Sequence, residues 1–130
     1  MKVFTGENSA WAQKVNFVDD SNVSVGYDMS EQCCEHASWF ISKTKDIEHP
    51  PSENCEQADE NIIEPYSFDV SSFETVEEAR WLDEGGMVRF RLIALGLPDL
   101  FLHLFNSHNG YYSHGFEMKN GDEVLHESYL

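Results

Sequence analysis

The sequence predicts an α+β domain: an antiparallel sheet of about six strands with one or two short helices. Three observations point there. Two Asn-Gly pairs, Asn109-Gly110 and Asn120-Gly121, punctuate the stretch from Met87 to Leu130, and a two-residue type I′ turn favours that dipeptide because both central positions need positive φ. Near the N-terminus two short runs alternate apolar and polar residues, as half-buried strands do. Between these regions, helix-capping signals replace the alternation.

In chain order, the first element is a hairpin. Lys14-Val15-Asn16-Phe17-Val18 and Val23-Ser24-Val25-Gly26-Tyr27 flank Asp19-Asp20-Ser21-Asn22. Val15 and Phe17 share a face with Val23 and Val25 only if the loop has an odd number of residues, which predicts three or five. Ser30 then suits the N-cap of a short helix running to His36, followed by Trp39-Phe40-Ile41 as a strand or a docked aromatic pair. A single strand from Gln32 to Ile41 is the alternative. From Ser42 to Ser67 the apolar period is lost, and Pro50-Pro51, Pro65 and many acids mark a long acidic excursion from an otherwise single domain spanning residues 1–130. Thr75 with Glu78 spells a capping box that predicts a short helix within Ser72 to Leu82, ended by Gly85-Gly86. Alternation of Val76, Glu78, Arg80 and Leu82 also allows a strand hairpinned onto Met87.

Met87 to Leu130 reads as a four-stranded meander. Two-residue turns at both Asn-Gly pairs would set Phe105 against His114, His103 against Phe116, Phe116 against Leu125 and His114 against Glu127. The Gly96 to Asp99 loop would set Leu92 against His103. One face then gathers Val88, Phe90, Leu92, Phe101, His103, Phe105, His114, Phe116 and Met118 as the core. A helix over Asp99 to Ser107 competes, because a short continuous apolar run has no diagnostic period; its phenylalanines and the adjoining Asn-Gly favour the strand.

The chain has 130 residues, with 24 acids against 8 bases and a formal net charge of -16. That acidity opposes binding to nucleic acid or an anionic membrane and favours a basic protein partner or cations. Self-association is left open by the composition. Three cysteines, Cys33, Cys34 and Cys55, two of them adjacent, do not make a disulfide framework. With no apolar leader in Met1 to Asn8, a cytoplasmic location is expected.

Gly26-Tyr27-Asp28 with Cys33-Cys34-Glu35-His36, and Asp83-Glu84-Gly85-Gly86-Met87 through His108-Asn109-Gly110-Tyr111-Tyr112-Ser113-His114-Gly115-Phe116, resemble an uncharacterised family of small acidic bacterial proteins, some encoded on mobile gene cassettes or phage. The likeness covers most of the chain outside the acidic excursion. It implies a compact α+β domain and carries no activity or catalytic residues with it.

Three groups of residues could carry chemistry. On the derived register His114 lies opposite Glu127 and diagonal to His103, ~5 Å and ~7–8 Å apart respectively. Such a trio could hold a divalent metal or work as an acid–base pair; a buried His–Glu hydrogen bond is the plainer reading. Arg89 and Arg91, two of only 8 bases, could form a local anion site, or Arg91 could simply pair with Glu117. Cys33-Cys34-Glu35-His36 offers thiolates and imidazole but lacks the spacing of a metal motif. There is no P-loop, no G-x-G-x-x-G, no G-x-S-x-G and no H-E-x-x-H. The leading expectation is therefore a non-enzymatic binding protein engaging a basic protein, with no resident cofactor. The alternative is a metal-binding protein or metal-assisted hydrolase built on His103, His114 and Glu127.

Overall fold

Alternation of period two, not helical spacing, governs the chain. A computed structural model describes residues 1–9, 12–30, 35–45, 63–77, 85–107 and 112–130. In chain order the strands are β1 (Lys2–Ser9), β2 (Ala12–Val18), β3 (Val23–Asp28), β4 (His36–Ser42), β5 (Ser67–Thr75), β6 (Gly85–Ile93), β7 (Leu100–Ser107), β8 (Gly115–Asn120) and β9 (Glu123–Tyr129). They make two antiparallel sheets, ordered β1-β2-β3-β8-β9 and β4-β7-β6-β5, here called sheets A and B. Among the described residues there are nine strands and no helix, so the expected α+β class is corrected to all β. Thr75, the expected helix cap, is a strand residue paired with Val88. Of the other expected helix, His36 already belongs to β4, while residues 31–34 lie outside the described set, as do most of the acidic excursion and residues 78–84. Among the described residues, no helix is long and apolar enough to cross a membrane.

The inner faces of the two sheets meet in one core. Sheet A contributes Val15, Phe17, Val23, Val25, Tyr27, Phe116 and Met118, and sheet B contributes Trp39, Phe68, Val88, Phe90, Leu92, Leu102 and Leu104. Aromatic rings interlock across the gap: Phe17 meets Trp39 edge-on at 4.9 Å, and Phe116 meets Phe90 at 6.2 Å. Such contacts add ~0.5–1.5 kcal/mol each beyond area burial. Hydrogen bonds cross as well. The Tyr27 hydroxyl donates to the Phe105 carbonyl at 2.8 Å. The buried Asp19 carboxylate accepts from the amides of Ser21 and Val23 through Oδ1, and from the Phe68 amide of sheet B through Oδ2 at 2.9 Å.

The N-terminal hairpin forms as its alternation predicts. Phe17 pairs with Val25 and Val15 with Tyr27, and Asp19 and Val23 close a loop of three residues, with Asn22 at φ 62. The four-stranded meander does not form. Strands β6 and β7 pair in sheet B, whereas β8 and β9 pair in sheet A. The chain therefore crosses between sheets after Ser107, and the pairs expected across Asn109-Gly110 do not exist; that dipeptide itself is outside the described residues.

Both surviving hairpins carry a parity error relative to the expected register. Leu92 pairs with Leu100 and Arg89 with His103, so an odd number of residues separates the paired Leu92 and Leu100 and every β7 side chain turns to the other face. His103 consequently leaves the core face and joins Met87, Arg89, Phe101 and Phe105 on the outer face of sheet B. That face is buried too, which is why β7 reads as an unbroken apolar run. In the last hairpin Asn120 pairs with Glu123, so Gly121 (φ 60) and Asp122 are the central residues. Glycine at the first central position suits a type II′ turn. Moving the turn by one residue shifts register by two and leaves the faces alone. The bulge opposite Met118 and Lys119, where Leu125 is the extra residue, then shifts it by one more and turns Glu127 outward.

Candidate functional site

The residues singled out from the sequence fall into three separate places. His103, fully buried, stacks on Phe40 with ring centroids 4.4 Å apart. Its Nε2 accepts from Arg89 Nε at 3.0 Å, so the remaining proton sits on Nδ1. That proton is turned to the Phe101 backbone without a full hydrogen bond among the described residues. Burial, reinforced by the Arg89 charge, pushes the His103 pKa down to about 3, and the imidazole is neutral near pH 7. Each guanidinium nitrogen of Arg89 is engaged: beyond His103, the group donates to Glu74 Oε2 and to the Lys45 carbonyl, each at 2.9 Å. Hydrogen bonds from Arg89 and Lys45 hold the Glu74 carboxyl below its usual range.

Arg91 does not meet Glu117, because β6 and β8 lie in different sheets. It grips Asp99 Oδ2 at 2.6 and 2.8 Å and Asp69 Oδ2 at 3.1 Å. Asp69 sits where β5 breaks register between Phe68 and Phe73, and its Oδ1 is held by the Ser71 hydroxyl and amide. Both arginines are thus spent on carboxylates of their own chain, which leaves neither poised as an anion site.

His114 is buried just ahead of β8, and Glu35, not Glu127, is its carboxylate. Nδ1–H donates to the Asp28 carbonyl at 2.7 Å, and Nε2 lies 3.1 Å from Glu35 Oε1. Both side chains are almost wholly withdrawn from solvent. A carbonyl can only accept, so Nδ1 is protonated. The contact at Nε2 then requires one further proton on the pair, as imidazolium with carboxylate or as imidazole with carboxylic acid. This is a buried His–carboxylate bond of the expected kind with a different partner. Glu35 is separated from His114 by 79 positions, and nothing local in the sequence couples them. His103, His114 and Glu127 are not gathered, and no cluster of three or more His, Cys, Asp or Glu suited to a metal occurs among the described residues. Cys33, Cys34, Cys55, His108 and Tyr111 lie outside that set.

Glu127 belongs instead to a feature the sequence reading missed, a groove of about 620 Å³ on the outer face of sheet A, where it meets Lys14, Asn16, Asp28, Glu117 and Tyr129. Glycines make the floor. A Cβ at Gly26 would approach Asn16 Oδ1 to 2.8 Å, and one at Gly115 would approach the Tyr129 ring to 3.3 Å. The Tyr129 ring therefore lies over Gly115 while remaining 74% exposed. Glu117 and Glu127 are direct cross-strand partners. His114 and Leu130 exchange both backbone hydrogen bonds at 2.8 and 2.9 Å, so by alternation Glu117 and Glu127 form a non-hydrogen-bonded pair, whose side chains stand closest. Like charges directly opposite destabilise a sheet. Lys119 offsets only Glu117, at 3.3 Å. Asp28 adds a third carboxylate: burial opposes its ionisation, but the Ser30 hydroxyl and amide and the nearby charges of Lys14 and His114 outweigh that and hold its pKa below the usual value. The groove is thus a glycine-floored, anionic surface with one exposed aromatic ring. Comparison with family models, with curated proteins and with solved structures gave no match.

Proposed function

We propose that this chain is a non-enzymatic binding module that receives a basic segment of a protein partner in the groove on sheet A. The observation that carries the reading is the Glu117–Glu127 pair. Two glutamates at directly opposite positions of neighbouring strands cost stability in the free protein, and a guanidinium or ammonium between them removes that cost. Asp28 extends the negative field along the groove, and the exposed Tyr129 ring offers its π face to the same cation, a contact worth ~0.5–1 kcal/mol at an exposed site. The overall charge of -16 steers a basic partner to the surface and accelerates encounter, an effect screened beyond ~8 Å at physiological salt. The metal-centred alternative has no support of this kind, because its three ligands stand apart.

The test is titration of a fluorescently tagged Lys/Arg-rich peptide into the protein and into the Glu117→Gln/Glu127→Gln double variant. Binding that weakens at least tenfold in the variant, and weakens with added salt, supports the reading. Equal affinity for both proteins would remove it.

A further inference from the structure

Beside the groove runs β9, an edge strand of sheet A whose only strand partner among the described residues is β8. The backbone hydrogen bonds between His114 and Leu130 fix which groups are free. His126, Ser128 and Leu130 direct their N–H and C=O groups toward β8, so those of Glu127 and Tyr129 point away, to the open edge. An exposed row of this kind is a template for another strand. The side chains of Glu127 and Tyr129 flank these groups on the groove side, and residues 127–129 are all exposed.

We infer that β9 binds its basic partner by strand addition: an extended segment with Lys or Arg at alternate positions pairs with the backbone of Glu127 and Tyr129. This deepens the proposed function and rests on it. Side chains of an added strand alternate between faces, and a residue opposite Glu127 has its Cβ ~4.5–5.5 Å from that of Glu127. A basic side chain there reaches the Glu117–Glu127 pair, and the next one on the same face, two residues away, lies beside the Tyr129 ring. The residue between them faces the other way and carries no charge requirement. The ligand class is therefore basic–x–basic in extended conformation. The bulge at Leu125 interrupts the ladder, so the added strand is short, about four residues, and side-chain charge must supply much of the affinity. A second copy of this chain is the wrong occupant: pairing two β9 edges would bring together the acidic edges of two molecules that each carry -16.

The experiment uses a peptide of alternating Lys and Thr and two versions N-methylated at every second residue, one set blocking each peptide edge, with binding followed by fluorescence polarisation and amide exchange by NMR. Strand addition expects one methylated set to bind at least tenfold more weakly and the other within twofold of the parent. It also expects the amides of Glu127 and Tyr129, but not Ser128, to gain at least tenfold protection. If the parent binds and neither methylated set weakens it, strand addition is overturned while groove binding stands. If the parent peptide does not bind at millimolar concentration, both readings fall together.

Discussion

Acidification should weaken this protein through one histidine before its carboxylates begin to matter. Folded His103 has a pKa of about 3 against 6.5 for the free side chain. The unfolded chain therefore takes up a proton at pH values where the folded chain cannot. Stability contributed by this residue is fully present above pH 6.5 and is lost as pH falls toward 3. A pKa unit is worth about 1.4 kcal/mol, so the whole contribution has a ceiling of about 5 kcal/mol, of which about 2 kcal/mol should disappear between pH 7 and pH 5. Groups with lowered pKa such as Glu74 and Asp69 start from 4.5 and 3.8 and act below that window. The substitution that isolates the effect is His103→Gln, whose amide oxygen can still accept from Arg89 Nε but does not titrate. It will cost some stability at pH 7 through the lost stack on Phe40, independently of pH. Urea unfolding of both proteins at pH 7, 6 and 5, read by tryptophan fluorescence, should show the gap between them narrowing by about 2 kcal/mol. Parallel pH dependences would refute the claim that burial and Arg89 hold His103 neutral.

Three other outcomes follow from the same geometry and are read by the same unfolding measurement. Glu35→Ala strands the His114 Nε2 in the interior and should destabilise by about 1–3 kcal/mol, as leaving a buried polar group without its partner does; no measurable change would mean that the two side chains are not bonded. Glu127→Ala, by contrast, relieves a like-charge contact on an exposed strand and should fall within about 0.5 kcal/mol of the parent or improve on it. Asp19→Ala leaves three backbone amides without their acceptor and should cost at least about 3 kcal/mol, with Asp19→Asn recovering part of it.

The legible parts of the fold were those written in neighbouring residues. Val15, Phe17, Val23 and Val25 with an odd loop gave the first hairpin in its observed register, because both the alternation and the turn are local. The turn near Gly121 was legible as a turn, but the bulged Leu125 that decides which way Glu127 points has no signature of its own. Strand β5 was obscured because its break between Phe68 and Phe73 spoils the period, and Thr75, which suits a helix cap, is a strand residue paired with Val88. β1, with Gly6 and several polar residues, offers little alternation to read. The two-sheet architecture was hidden for a different reason: Asn109-Gly110 looks like a continuation of one sheet, and only long-range packing reveals that β7 and β8 take different partners. Of the candidate site, His114 was expected to bond Glu127, and it bonds Glu35 instead. Its partner could not be read, since Glu35 is brought to it by the sandwich and not by any nearby turn. The groove was missed because it needs Gly26, Gly115 and Tyr129 on one surface, which depends on the register the bulge sets.

Asp19 has a consequence for where this chain can be altered. Short, polar turns at a hairpin tip are normally the positions that accept inserted sequence. The β2–β3 turn has that outward appearance, yet Asp19 at its base holds amides of both sheets, including Phe68. Lengthening this loop would displace the carboxylate that spans the sandwich, so a graft there should disturb β5 as much as the hairpin itself. The Leu95-Gly96-Leu97 tip is the opposite case. It is strongly exposed, with nothing within 4 Å of a Cβ at Gly96, and it is the place to splice in a tag or reporter.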